Sequence, residues 1–234
     1  MEIEKKIRTL RESLHEHNYL YYIEDSPEIS DYEFDQLLNT LVALEQQYPE
    51  YFDPNSPTQR VGGGITKDFK TRSHRYPMYS LSNTYSKEEL TDWANRVKKV
   101  LGDEEHAFTC ELKYDGASIN LTYENGKFVR GVTRGDGSLG DDVSTNLRTL
   151  PTIPLTLKGD YPLVFEIRGE IILPFDGFQA LNEQRIQRGE EPFMNPRNTA
   201  SGSLKLQDSS LVANRPLKCF LYALAGEDLG VDTQ

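Results

Sequence analysis

Lys113 stands two residues after Glu111 and two before Asp115 in the string CELKYDGASI, and Gly116 completes a K-x-D-G pattern. In an extended segment, alternation puts Glu111 and Lys113 on one face, and the glycine lets the backbone turn closely around a ligand. Two readings follow: a surface strand lysine paired with Glu111, or an amine that acts as a covalent nucleophile. The second requires a neutral amine. At an ordinary pKa near 10.4, only about one lysine in 2,500 is neutral at pH 7. Lowering that pKa by about two to three units raises the reactive fraction a hundredfold or more. Neighbouring cations do this, whereas Glu111 and Asp115 oppose it, so the carboxylates need other tasks.

The elements around this motif read as strands. In residues 106–113, Phe108, Cys110 and Leu112 alternate with Thr109, Glu111 and Lys113. ASINLTY groups Ala117, Ile119, Leu121 and Tyr123, and the ENGK turn at 124–127 signals a hairpin leading into FVRGVTR. LVFEIRGEIIL at 163–173 buries Leu163, Phe165, Ile167, Ile171 and Leu173 and turns Glu166, Arg168 and Glu170 the other way. A helix near 175–188 and a late strand at 217–224 complete an α+β domain.

Upstream the period is helical. Ile3, Ile7, Leu10, Leu14 and Tyr21 share one face, and SPEIS at 26–30 ends the helix. A second helix starts at Ser30 with Glu33 completing a capping box, and its stripe is Phe34, Leu37, Leu38, Leu41 and Leu44. By itself this hairpin reads as a packing module. Residues 48–78, with Gly62, Gly63 and Gly64, read as a linker or ordered wrap. A further capped helix runs from Ser86 to Val100, with Glu89 in its box and Leu90, Trp93, Val97 and Val100 facing a core.

Composition sets bounds. The 234 residues carry 26 Lys+Arg against 37 Asp+Glu, a formal charge of -11, which argues against tight, independent nucleic-acid binding. Two cysteines make neither a disulfide framework nor a four-thiolate zinc site. The charged start MEIEKKIRTL and the lack of a long apolar run predict a soluble, cytoplasmic chain with no membrane partner.

Further strings accompany K-x-D-G: YYIEDSPEISDYEFD at 21–35, MYSLSN at 78–83, TRGDG at 133–137, EIRGE at 166–170 and FMNPRNTASGSLK at 193–205. Together they closely resemble the N-terminal adenylation region of bacterial NAD-dependent DNA ligases, over essentially the whole chain. The resemblance implies a helical domain for nicotinamide mononucleotide at 1–70 and a mostly antiparallel, ATP-grasp-like nucleotidyltransferase domain at 71–234. It also implies that Lys113 takes AMP from NAD, that AMP passes to the 5′-phosphate of a DNA nick, and that the 3′-hydroxyl then seals the strand. Glu111 would accept from the adenine amino group, and Tyr222 would stack on the ring. Asp115 and Glu170 would contact ribose, metal or lysine, and Arg134 ribose or phosphate. Arg197 and Lys205 would meet phosphate of the adenylate or nick. Ser80, Leu81 and Leu112 would flank the cofactor. The segment Tyr21, Tyr22, Asp31, Tyr32, Glu33, Phe34 and Asp35 would close over the nicotinamide half.

Tyr22 stands where the family usually has histidine, and Phe34 where it has tyrosine, which bears on nicotinamide affinity. Mg²⁺ or Mn²⁺ is implied by the phosphate chemistry, with no metal-ligand cluster in the sequence and no metal site nominated. The family continues with a D-G-V-V-x-K strand, a further basic motif and DNA-gripping modules that these residues do not contain. The expectation is a fragment or natural truncation: a monomer, incomplete at the C-terminus of its second domain, that binds NAD, self-adenylates slowly or not at all, and grips nicked DNA only through a longer protein. The alternatives are a non-catalytic nucleotide-binding remnant and an ATP- or GTP-using relative that shares K-x-D-G.

Overall fold

The computed structural model describes residues 2–22, 24, 26–61, 68–102, 104–227 and 229–230; the Gly62–Gly64 run and the side chains of Tyr22 and Asp31 lie outside the described residues. Helices α1 (Glu2–Tyr22) and α2 (Asp31–Gln47) form the expected hairpin. Ile7, Leu14 and Leu41 are fully buried between them, with Ile3, Leu10, Phe34, Leu37, Leu38 and Leu44 packed around. The capping box is formed: Glu33 N–H donates to Ser30 Oγ at 3.3 Å, and Ser30 N–H donates to the Glu33 carboxylate at 2.9 Å. Arg11 ties the two helices, reaching Glu45 at 2.6 Å and the Tyr51 carbonyl at 2.6 Å. Glu45 also accepts from the hydroxyls of Ser56 and Thr58, so residues 49–61 are an ordered wrap, with Asn55 and Ser56 buried.

This wrap docks the hairpin on the second unit. Arg60 donates to the carbonyls of Leu150 at 2.7 Å and Ile153 at 3.0 Å. Lys127 meets Asp53 at 3.5 Å, and Lys158 pairs with Glu16 and sits 3.9 Å from the Tyr19 ring centroid. His15 is enclosed at this junction. Burial, then the Arg60 charge, bring its pKa down to about 4.

Strands β1 (Thr71–Ser73), β2 (Ala117–Glu124), β3 (Lys127–Thr133), β4 (Leu139–Asp141), β5 (Val164–Ile172) and β6 (Lys218–Ala225) are all antiparallel to their partners. Four form one sheet in the order β3-β2-β5-β6, and β1 pairs with β4 beside it. The β2–β3 turn has Asn125 at φ 50° and Gly126 at φ 72°, the left-handed pair that an Asn-Gly hairpin supplies. One sheet face carries Ile119, Leu121, Tyr123, Phe165 and Ile171 into the core, where α4 (Ser144–Leu147), α5 (Phe175–Gln187), α6 (Pro196–Leu204) and α7 (Ser209–Ala213) add Leu147, Leu181, Leu204 and Val212. The other face is polar, and residues 74–78 cross it: Arg168 donates to the carbonyls of Tyr76 at 3.2 Å and Pro77 at 2.8 Å.

Three expectations need correction. Residues 104–115 form no strand and are exposed apart from half-buried Tyr114; alternation gives a strand only where a neighbour supplies hydrogen bonds, and none of the described strands does. Helix α3 (Lys87–Leu101) exists, yet none of its residues is buried. Its Trp93 meets Phe108 at 5.0 Å between ring centroids, and Val100 is 85% exposed. Its amphipathic spacing specifies a face but not what covers it. Leu163 lies just before β5 and is exposed, as is Val164 at the strand's start. No helix among the described residues is long and apolar enough to cross a membrane.

Candidate active site

Gly116 sits where the chain enters β2 against β5. A Cβ there would come 2.1 Å from the Ile171 carbonyl oxygen, so only glycine passes. Its N–H donates to Glu170 at 3.1 Å, and the Ser118 hydroxyl donates to the other Glu170 oxygen at 2.8 Å. The Ser118 hydroxyl is also 3.4 Å from the Tyr222 hydroxyl on β6. Glu170 is thus fixed on the polar sheet face, clamping the K-x-D-G turn. Tyr114 within that turn stacks on Phe220 with centroids 4.3 Å apart.

TRGDG folds into a tight turn braced from within and without. Asp136 accepts from the N–H groups of Ser138 and Leu139, both at 2.8 Å, and these bonds hold its carboxyl below the usual carboxylate range. Gly137, at φ 96°, gives its carbonyl to Met78 N–H at 2.8 Å. Arg134 N–H donates to the Ser118 carbonyl at 2.9 Å, which ties the loop to β2. Helix α6 opens with Asn195 capping Asn198 N–H at 2.8 Å and Pro196 at its first position. That start sets Arg197 facing Asp115, 3.0 Å away. At the other end Lys205 meets Asp141 at 2.6 Å.

These segments enclose one cavity of about 830 Å³, lined by Ser80, Leu81, Glu111, Leu112, Lys113, Asp115, Arg134, Glu170, Arg197, Lys205 and Tyr222 among others. Every residue that the sequence nominated for the adenine, ribose and phosphate side is present in it. Five cationic side chains (Lys113, Arg134, Arg168, Arg197, Lys205) face four carboxylates (Glu111, Asp115, Asp141, Glu170), so the cavity is balanced toward positive in a strongly acidic chain. Lys113 forms no ion pair among the described residues, and the Glu111–Lys113 pairing of the surface-lysine reading is not present.

A smaller cavity of about 390 Å³ lies at the hairpin end, lined by His17, Asn18, Tyr21, Pro27, Glu28, Ile29, Phe34 and Asp35. Tyr21, Phe34 and Asp35 are brought together there as nominated. Tyr32 and Glu33 are not: helical rotation turns them away, leaving Tyr32 72% exposed and the Glu33 carboxylate bound to Ser30. The nominated Tyr22 and Asp31 side chains lie outside the described residues.

Sequence reasoning missed Ser118, Asp141 and Arg168 in the large cavity. Ser118 and Arg168 occupy the polar phase of strands whose apolar phase was legible, which is the signal that marks them. Asp141 lies on a three-residue strand too short for any period to show. No group of three or more His, Cys, Asp or Glu residues among the described residues is placed to hold a metal by itself. Asp115 and its neighbours suit a cation that takes one or two carboxylates and completes its shell with phosphate and water.

The chain matches two family models, one described as DNA ligase-like, N-terminal NAD⁺-binding domain, over residues 1–62, and one described as NAD-dependent DNA ligase adenylation domain, over residues 66–234. Among curated proteins it is 60% identical to a DNA ligase of Flavobacterium johnsoniae over 234 residues, all of this chain and 35% of that protein. It is 62% identical to one of Flavobacterium psychrophilum over 98% of this chain and 34% of the relative. Against a Bacteroides fragilis DNA ligase the figures are 57% identity, 99% of this chain and 35% of the relative. The chain therefore spans about a third of the length of the relatives it matches. With both models matched in order and the K-x-D-G cavity assembled, the chain belongs to the NAD-dependent DNA ligase family.

Proposed function

We propose that this chain is the cofactor-handling part of an NAD-dependent DNA ligase: Lys113 accepts AMP from NAD, and AMP is then handed to the 5′-phosphate of a nick. The supporting observation is convergence. Side chains from six separate stretches of chain, residues 80–81, 111–115, 134, 170, 197–205 and 222, meet in one cavity around Lys113, which forms no ion pair among the described residues.

In this reading the Lys113 amine attacks the α-phosphorus of NAD. A nitrogen–phosphorus bond forms, the bond to the nicotinamide mononucleotide phosphate breaks, and the ammonium proton is lost. Splitting the condensation in this way replaces one hard step by easier transfers. Tyr222 supplies a face for the adenine and Glu111 an acceptor for its amino group. Arg134, Arg197 and Lys205 gather the phosphate charge. Glu170, fixed by Gly116 and Ser118, holds the turn that carries Lys113. A divalent cation, Mg²⁺ or Mn²⁺, when bound would neutralise phosphate oxygens, with Asp115 as the carboxylate placed to hold it. Tyr21, Phe34 and Asp35 take the nicotinamide half. The helical domain at 1–70, the transfer domain at 71–234, a monomeric state and a cytoplasmic setting complete the proposal. Nicked DNA is the substrate of the longer protein, and the charge of -11 accords with weak DNA binding by these residues.

The test is donor choice. Adenylate transfer to the chain is followed with labelled NAD and with labelled ATP; transfer from NAD and not from ATP is expected. Equal or better transfer from ATP overturns the reading.

A further inference from the structure

We propose that Asp141 is a positioning residue: it holds the Lys205 ammonium at the cavity wall and yields it to phosphate. The proposal rests on the reading that this cavity takes an adenylate, and it assigns a role to a residue that no motif marks. Lys205 follows the last residue of α6, where its N–H bonds the Gly202 carbonyl at 3.1 Å, and its side chain is 49% exposed. A lysine at such a place has a long stem with many rotamers and open solvent to occupy. Its ammonium is nevertheless found 2.6 Å from Asp141 Oδ2, and both side chains line the large cavity.

Asp141, by contrast, is held from several sides. Its strand β4 pairs with β1, in register with Thr71, and its N–H donates to Thr133 Oγ1 at 2.9 Å. The preceding Gly140 lies so close to the Thr133 carbonyl that a Cβ would meet it at 1.7 Å. The fixed partner therefore decides where the mobile one points. A half-exposed ion pair adds little to stability, so its effect is on geometry.

Arg197 repeats the arrangement at the other end of α6, paired to Asp115 at 3.0 Å. In both pairs one carboxylate charge occupies a cation that faces the space a phosphate would fill. A phosphate offers more acceptor oxygens and up to two charges, so it displaces the carboxylate and inherits a cation already in place. Asp141 thereby removes part of the ordering cost that Lys205 would otherwise meet on binding.

The test uses equilibrium binding of AMP and of adenosine to the 234-residue chain, with the ratio of the two dissociation constants as the readout. In wild type AMP is expected to bind tighter than adenosine. Lys205→Met is expected to shrink the ratio about tenfold, the scale of one charge-assisted hydrogen bond. Asp141→Asn shrinks it several-fold, on the order of the same lost bond; the double variant is no worse than Lys205→Met, and Asp141→Glu retains the wild-type ratio. Adenosine affinity stays constant throughout and reports an intact fold. A ratio unchanged or raised in Asp141→Asn, or losses that add in the double variant, overturns the proposal while leaving the adenylate reading in place. A wild-type ratio near one overturns the phosphate reading of the cavity and Asp141's role with it.

Discussion

The Glu170 carboxylate holds the backbone N–H of Gly116 at 3.1 Å, joining residues 54 positions apart. Its second oxygen takes the Ser118 hydroxyl at 2.8 Å. Through this clamp the turn that carries Lys113 is built onto the central pair of strands rather than carried on a free loop, which fits the proposed role of placing an amine against one phosphorus atom.

Gly116→Ala tests that clamp. The added methyl would lie 2.1 Å from the Ile171 carbonyl oxygen, a backbone atom that cannot step aside alone. The expected outcome is a loss of about 1–3 kcal/mol in stability by urea titration, together with loss of AMP binding. A variant that binds AMP as wild type would show that the close approach is not needed.

Tyr222 is expected to act through its ring. Tyr222→Ala should weaken AMP binding by about 1–3 kcal/mol, the usual worth of an aromatic–base stack, and Tyr222→Phe should nearly restore it. If phenylalanine is as damaging as alanine, the hydroxyl beside Ser118 and not the ring carries the effect.

His15 sets a pH dependence of stability. Its folded pKa, about 4, lies below its ordinary value of 6.5, because burial and then Arg60 disfavour the charged form. Between those values the unfolded chain binds a proton that the folded chain refuses, so stability falls as pH drops through the window. The loss is roughly 3 kcal/mol at most. Urea midpoints from pH 7 to 5 should decline in wild type and decline less in His15→Gln; coincident slopes would contradict the assignment.

The sequence was most legible where elements are long and one face is apolar. The α1–α2 hairpin, the Ser30 cap, the Asn125–Gly126 turn and the apolar phases of β2 and β5 all follow from spacing. What spacing could not supply was the partner. Residues 104–115 alternate as a strand does, yet pair with no strand among the described residues, and α3 has an apolar stripe of which no residue is buried, although Trp93 meets Phe108. Short elements such as β1, β4, α4 and α7 carry too few residues for a period to appear. The site itself divides in the same way. Lys113, Asp115 and Gly116 were visible as a local string, and Arg134, Glu170, Arg197 and Tyr222 through the family resemblance. Ser118 carried only the polar phase of its strand as a signal, and Asp141, on a three-residue strand, carried none. Glu33 shows the converse: one residue satisfies both a cofactor motif and a capping box, and the geometry gives its carboxylate to the cap.

The central claim is that Lys113 is the AMP acceptor, and intact-protein mass spectrometry with peptide mapping tests it most directly. The 234-residue chain and Lys113→Ala are incubated with saturating NAD and magnesium for hours. The expected result is a gain of one AMP on the peptide carrying Lys113, absent from the variant. An adduct that persists in Lys113→Ala, or one that maps in wild type to a peptide without Lys113, would contradict it.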